Sequence, residues 1–233
     1  MRSYERGDAM SDGTLPPGMV PASGRFRYEA AEFGRLDFEV SHAKFILWKT
    51  FEDEQEAAGV QLNIMVAARP QESPDESGDA DMAYLLEPAL TVEWLTIREA
   101  DLASRDRGAL DGVTVDFDWD RTPDVPEAPA AIQEGSYGST DVLKLSLSHV
   151  PPDRYRLQVQ ARDEFGRACE IDADLPLFEI GASNFSMSRP QAVEDWVDRH
   201  FERDDLRVEW RTVGPMTNQW QNLYASFKET GDE

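Results

Sequence analysis

Most of this chain is written in short runs whose apolar residues recur at every second position, with Gly, Pro, Asp or Ser between the runs. Residues 113–120, VTVDFDWD, place Val113, Val115, Phe117 and Trp119 on one side and Asp116, Asp118 and Asp120 on the other. The same period runs through Leu36, Phe38 and Val40, through residues 60–68, through Val92 and Trp94, and through Leu143, Leu145 and Leu147. It returns in Tyr155, Leu157, Val159 and Ala161, and again in Cys169, Ile171 and Ala173. Side chains alternate across a strand, so such runs are strands with one buried face. At least seven of them, parted by turn signals, predict an antiparallel β-sandwich.

The last two runs are joined by a Gly-containing turn and read as a hairpin. Their stretch YRLQVQARDEFG, residues 155–166, resembles the late strands of many immunoglobulin-like sandwiches. The resemblance implies an immunoglobulin-like general architecture. Residues 1–24, rich in Gly, Pro and small polar residues, are expected to be a flexible tail, with the sandwich spanning 25–181. Residues 71–81 and 121–140 read as loops.

From residue 182 the period changes. Ser188 and Gln191 form a capping pattern, followed by Val193, Trp196, Val197, His200 and Phe201 at helical spacing. Leu206, Val208 and Trp210 alternate as a strand. Trp220, Leu223, Tyr224 and Phe227 share one face of a helix beginning at Thr217. Residues 182–233 are therefore expected to be a small helix–strand–helix appendage.

Forty-six acidic residues face 23 basic ones, giving a net charge of −23, and only Lys44, Lys49, Lys144 and Lys228 are lysines. Such a chain repels nucleic acid phosphates and anionic lipid surfaces, and attracts cations or a basic protein. Its single cysteine, Cys169, excludes an internal disulfide framework. No run approaches the roughly 18 apolar residues of a membrane span, and the opening residues have no apolar leader core, so the expected location is the cytoplasm.

The acids at 116–127, DFDWDRTPDVPE, fall at several of the positions where an EF-hand loop places calcium ligands. The sixth position, which needs Gly for the sharp turn, is Arg121, and a strand rather than a helix precedes it. What survives is a stripe, Asp116, Asp118 and Asp120, matched by a second stripe, Glu170, Asp172 and Asp174. Within a stripe the carboxylates stand about 7 Å apart, given a rise of roughly 3.3 Å per residue. On neighbouring strands they would repel, a cost that Ca²⁺, arginines such as Arg156 or Arg162, or a basic partner would offset. On separate strands they are ordinary solvated faces, the commoner case. These six residues are the candidate metal ligands.

Other chemistry finds less. The chain has no Gly-rich phosphate loop, no H-E-x-x-H and no G-x-S-x-G, and no catalytic residue is assigned. His200 lies on an apolar helix face and reads as a packed residue, while Cys169 shares a face with Ile171 and reads as a buried small hydrophobe. Whether His42, His149 and Cys169 meet is left to the fold. The expected function is a non-enzymatic, acidic, cytoplasmic interaction protein engaging a basic protein partner, as an adaptor or a bacterial toxin-neutralising (immunity-type) protein. The alternatives are a Ca²⁺- or carbohydrate-binding sandwich and a hydrolase whose carboxylates converge only in the fold.

Overall fold

The computed structural model describes residues 15, 18–30, 33–52, 55–56, 59–72, 85–121, 129–134, 136–184, 190–213 and 220–229. In chain order its strands are β1 (Val20–Pro21), β2 (Ser23–Ala30), β3 (Gly34–Glu52), β4 (Gln55–Glu56), β5 (Val60–Ala68), β6 (Gln71–Glu72), β7 (Leu85–Leu86) and β8 (Ala89–Ile97). They continue as β9 (Thr114–Asp118), β10 (Ala130–Glu134), β11 (Ser136–Val150), β12 (Arg154–Asp163), β13 (Ala168–Pro176) and β14 (Glu179–Asn184). Helix α1 (Pro190–His200) precedes β15 (Leu206–Val213) and β16 (Trp220–Phe227). No helix among the described residues is long and apolar enough to cross a membrane.

The strands close on themselves. Going round, β3 pairs with β2, then β13, β12, β11, β10, β8 and β5 follow, and β5 returns to β3. All eight pairings are antiparallel. The expected open sandwich is therefore corrected to an eight-stranded antiparallel barrel, and the immunoglobulin-like architecture falls with it. Alternation reports which face of a strand is buried, and a barrel and a sandwich bury one face alike. What differs is the pairing of edges, which the period does not record.

Closure depends on two long strands that turn corners. In β3 the inward residues are Phe38 and Val40, then Ala43, Phe45 and Leu47, so the parity flips at Ser41. The register agrees: Val40 faces Ala68 while His42 faces Ala67, leaving Ser41 as an extra residue. β11 does the same at Asp141, between Thr140 opposite Asp163 and Val142 opposite Arg162. A bulge adds one residue, bends the strand and raises its twist, which lets one strand join both halves of the ring. A third irregularity, in β8 opposite β5, shifts burial from Val92 to Ile97. The side chain of Trp94, expected to face inward, lies outside the described residues.

The barrel interior is filled. Phe26, Phe38, Leu90, Leu143, Leu157 and Ile171 are all at most 3% exposed. Each such side chain contributes about 1.5–3 kcal/mol by leaving water.

The C-terminal segment is not the expected helix–strand–helix unit. Residues 190–200 are helical and bury Val193, Trp196 and Val197, as their spacing requires. The expected cap at Ser188 and the start at Thr217 lie outside the described residues, but Trp220–Phe227 is a strand. Leu223, Ala225 and Phe227 then share a side, with Leu223 and Ala225 buried. WQNLYASF satisfies both periods, and pairing decides between them: β16 lies between β14 and β15. β14 in turn runs parallel to the second half of β3, from Glu179 opposite Ile46 to Asn184 opposite Phe51. A three-stranded flap thus continues the barrel wall, and α1 lies against β14.

The flap joins closely at Gly181, opposite Trp48. A Cβ at Gly181 would lie 2.0 Å from the Trp48 ring. Gly181→Ala is expected to cost about 1–3 kcal/mol through overpacking. At roughly 2–4 °C per kcal/mol the melting temperature should fall by several degrees. An unchanged melting curve would mean that the flap does not depend on this contact.

Candidate functional site

The two acidic stripes do not meet. Asp116 and Asp118 lie on β9, which pairs with β11. Glu170, Asp172 and Asp174 lie on β13, with β11 and β12 in between. Three strand spacings separate the stripes, roughly 14 Å. Among the described residues no three His, Cys, Asp or Glu are grouped to hold a metal ion.

Arginines offset the β13 stripe. Arg156 on β12 lies 2.5 Å from Asp172 and 3.0 Å from Asp174. From the other side, Arg27 on β2 reaches Glu170 at 3.2 Å and Asp37 at 2.8 Å, and Arg35 reaches Glu170 at 2.7 Å. The outer face of β12–β13–β2–β3 is therefore a lattice of alternating charge. Arg162, the other arginine expected to help, sits opposite Ala168. An open trough of about 770 Å³ runs over this face, with Arg25, Arg156, Gln158, Gln160, Glu170 and Asp172 among its walls.

The β9 stripe is explained locally. Asp116 faces Lys144 across the strands. Asp118 accepts the backbone N–H of Asp120 at 3.1 Å and approaches Arg121 at 3.2 Å, so it fixes the turn that ends the strand. Asp120 is exposed, and Trp119, expected on the buried side with Phe117, is 38% exposed. The remaining acids of the stretch, Asp124 and Glu127, lie outside the described residues.

The other nominated residues are separate. Cys169 is sealed in the core, and burial pushes its thiol pKa up. His42 holds Nδ1 against Ser41 Oγ at 2.8 Å, and burial lowers its pKa. His149 lies beside Tyr155, ring centres 5.2 Å apart and tilted by 41°. Carboxylate abundance pointed to none of the two sites described next.

The first is a charged cluster under α1. Lys49, 1% exposed, lies 2.5 Å from Glu99, and its ammonium also donates to the Gly59 carbonyl. Glu99 accepts the Trp196 indole N–H at 3.0 Å, and its second oxygen lies 3.1 Å from His200 Nε2. His200 Nδ1 donates to the Trp196 carbonyl at 2.9 Å. Burial alone would raise the Glu99 pKa, but the Lys49 and Trp196 hydrogen bonds, with the Lys49 and His200 charges, leave it below its ordinary value. One carboxylate thus ties α1 to β3, and the cluster is a clamp.

The second is a cleft of about 640 Å³ where β3, β14 and β16 come together. Phe45, Phe178 and Phe227 line it, with Phe178 in edge contact with the other two at 5.7 and 5.3 Å. Arg107 stands over the Phe227 ring, is ion-paired with Asp153, and donates to the Lys228 carbonyl. Glu179 lies 3.5 Å from Arg211. Burial raises the Glu179 pKa, opposed by the Arg211 and Lys44 charges and assisted by Glu209.

Two expectations follow. Because arginines already neutralise the β13 stripe, CaCl₂ and NaCl at matched ionic strength should raise the melting temperature equally, by screening. A rise with calcium alone would restore a metal site. Glu99→Gln leaves Lys49 buried without its carboxylate and should cost about 3–5 kcal/mol, or roughly 6–20 °C. A lowered carboxylate pKa contributes stability above the unfolded value and loses it as pH falls. The parent should therefore lose stability below about pH 4.5 more steeply than Glu99→Gln. Equal slopes in acid would remove Glu99 from that account.

Compared with known proteins, the chain matches no family model, no curated protein and no solved structure.

Proposed function

We propose that this is a non-enzymatic, cytoplasmic binding protein whose acidic surface takes up a cationic segment of a protein partner, in an adaptor or immunity-type role. The observation that carries the reading is Trp119, exposed at the end of β9 between Asp118 and Asp120. An arginine or lysine stacked on an exposed indole gains cation–π attraction. Among the described residues β9 pairs only with β11, so an extended segment has a strand edge to join.

The charge balance supports the same reading. At least twelve of the 23 basic residues are held in ion pairs within the chain, from Arg27 to Arg211. Each pair consumes one or more carboxylates, yet acids outnumber bases two to one, so the surplus facing solvent is negative. A negative field speeds association with a cationic partner and weakens with salt. Hydrolysis by paired acids fits less well, because Asp153, across the cleft residues from Glu179, is committed to Arg107.

The test is fluorescence anisotropy of a labelled arginine-rich peptide, in low salt and at about 0.15 M ionic strength. Binding should weaken by about ten-fold or more with salt, and Trp119→Ala should weaken it further at either salt concentration. Loss with salt alone, unchanged by Trp119→Ala, would reduce the effect to diffuse charge. Salt-independent binding would end the proposal.

A further inference from the structure

We infer that β15, the outermost strand of the flap, pairs antiparallel with β15 of a second copy of this chain, about a two-fold axis at Val208. The β9 surface is separate and carries no part of this inference. Among the described residues β15 pairs only with β16, so its other edge ends the sheet. The strand runs for eight residues, LRVEWRTV, in unbroken register with β16. It has no Pro, no Lys and no bulge, three devices that keep an edge from pairing. Its charges are of both signs, and their order is self-complementary.

The backbone comes first. The Lys228 N–H donates to the Asp205 carbonyl at 2.8 Å, one rung beyond Leu206 opposite Phe227. Backbone groups alternate between the two edges of a strand, so odd-numbered residues bond to β16 and Val208 and Trp210 turn theirs outward. About Val208 the two copies exchange both bonds of that residue. Each Trp210 N–H then meets the Leu206 carbonyl of the other copy.

The side chains fix the register. Arg207, Glu209 and Arg211 are exposed on one face, and Asp205 is exposed just before the strand. Paired about Val208, Arg207 faces Glu209 and Asp205 faces Arg211, while Leu206 faces Trp210 on the other side. Val208 and Trp210, half-buried within one copy, gain apolar cross-strand neighbours. A two-residue slip sets Arg207 or Glu209 against itself, and like charges directly opposite destabilise a sheet. A one-residue slip opposes the charged face to the apolar one. Arg211 already reaches Glu179 and Glu209, so the contacts that decide the register are those between Arg207 and Glu209. Glu209 meets Arg211 through one oxygen, and a carboxylate accepts more than one donor. The net charge of −23 opposes association, but at about 0.15 M salt that repulsion is screened beyond about 8 Å, whereas the cross-strand pairs are in contact. One strand edge is a small interface, so the dimer is weak and reversible.

The experiment is sedimentation velocity of the full chain at about 0.15 M ionic strength, from about 1 to about 300 µM. The parent should pass from monomer towards dimer across that range. Arg207→Glu and Glu209→Arg should each weaken association by about ten-fold or more, since the two-fold axis doubles each like-charge contact. The two substitutions combined restore opposite charges and should return association to within about three-fold of the parent. Diffuse repulsion predicts otherwise, because Glu209→Arg lowers the net negative charge and would then tighten the dimer. Val208→Pro removes an N–H from the free edge and none from the ladder to β16, so it should fold, by its melting curve, and stay monomeric. Should a charge variant fail to fold, Val208→Pro carries the test in its place. The proposal is overturned if the parent stays monomeric throughout, if Glu209→Arg tightens association, if the folded double variant fails to restore it, or if folded Val208→Pro dimerises as the parent does.

Discussion

Strand β3 has to bury one face in two differently directed parts of the wall, and the extra residue at Ser41 is what lets it. Before Ser41 it pairs with β2, and after it with β14 on that same edge, while β5 runs along the other. Without the bulge, the residues beyond Val40 would keep the earlier parity, sending Phe45 and Leu47 outward. A one-residue slip moves a strand's whole apolar set to the wrong face. Ring closure through β5, the attachment of the flap and the floor of the cleft at Phe45 all lie downstream of that single residue.

The clamp under α1 is a consequence of the same shift. Once odd-numbered residues face inward, Lys49 follows Leu47 into the interior. A buried ammonium is tolerated only with a counter-charge and hydrogen bonds, and Glu99, just after β8, supplies both. Phe51 and Trp196 place their rings about the same ammonium, 5.8 and 5.9 Å from it. Glu99 has acceptor capacity left over, which Trp196 and His200 fill. The helix is held where it is because a strand carried a charge inward and the partner of that charge could accept more donors.

These relations explain which parts of the fold were legible in the sequence. Leu143, Leu145 and Leu147, and likewise Cys169, Ile171 and Ala173, face inward as their period required, and Val193, Trp196 and Val197 form the buried side of a helix. The parity change at Ser41 was also in the sequence, since Phe38 and Val40 give way to Ala43, Phe45 and Leu47. It read as one continuous apolar run because Ile46 and Trp48 interrupt the alternation. Barrel closure was not legible, because β3 with β5 and β10 with β8 concern edges, and edges leave no periodic trace. WQNLYASF fitted a helix and a strand equally, and only the waiting edges of β14 and β15 decide it. The clamp and the cleft draw on Lys49 with Glu99, and on Phe45 with Phe178, Phe227 and Lys228, residues with no shared local pattern.

The division of labour between arginine and lysine follows from geometry. The chain has 23 basic residues of which four are lysines, so 19 are arginines. On the outer face Arg156 touches Asp172 and Asp174 together, and Arg27 touches Asp37 and Glu170. A planar fork with five donors can bridge carboxylates on adjacent rungs or strands, whereas an ammonium acts as a point charge. A lattice of this kind needs arginine. It also converts acidic stripes from sources of repulsion into cross-strand ties, each worth about 1 kcal/mol or less at such exposure. Lysine is left for places where one compact charge suffices: beneath α1 at Lys49, beside the cleft at Lys228, and in the trough at Lys144. An acidic protein that commits many of its arginines to its own carboxylates keeps its long-range field negative.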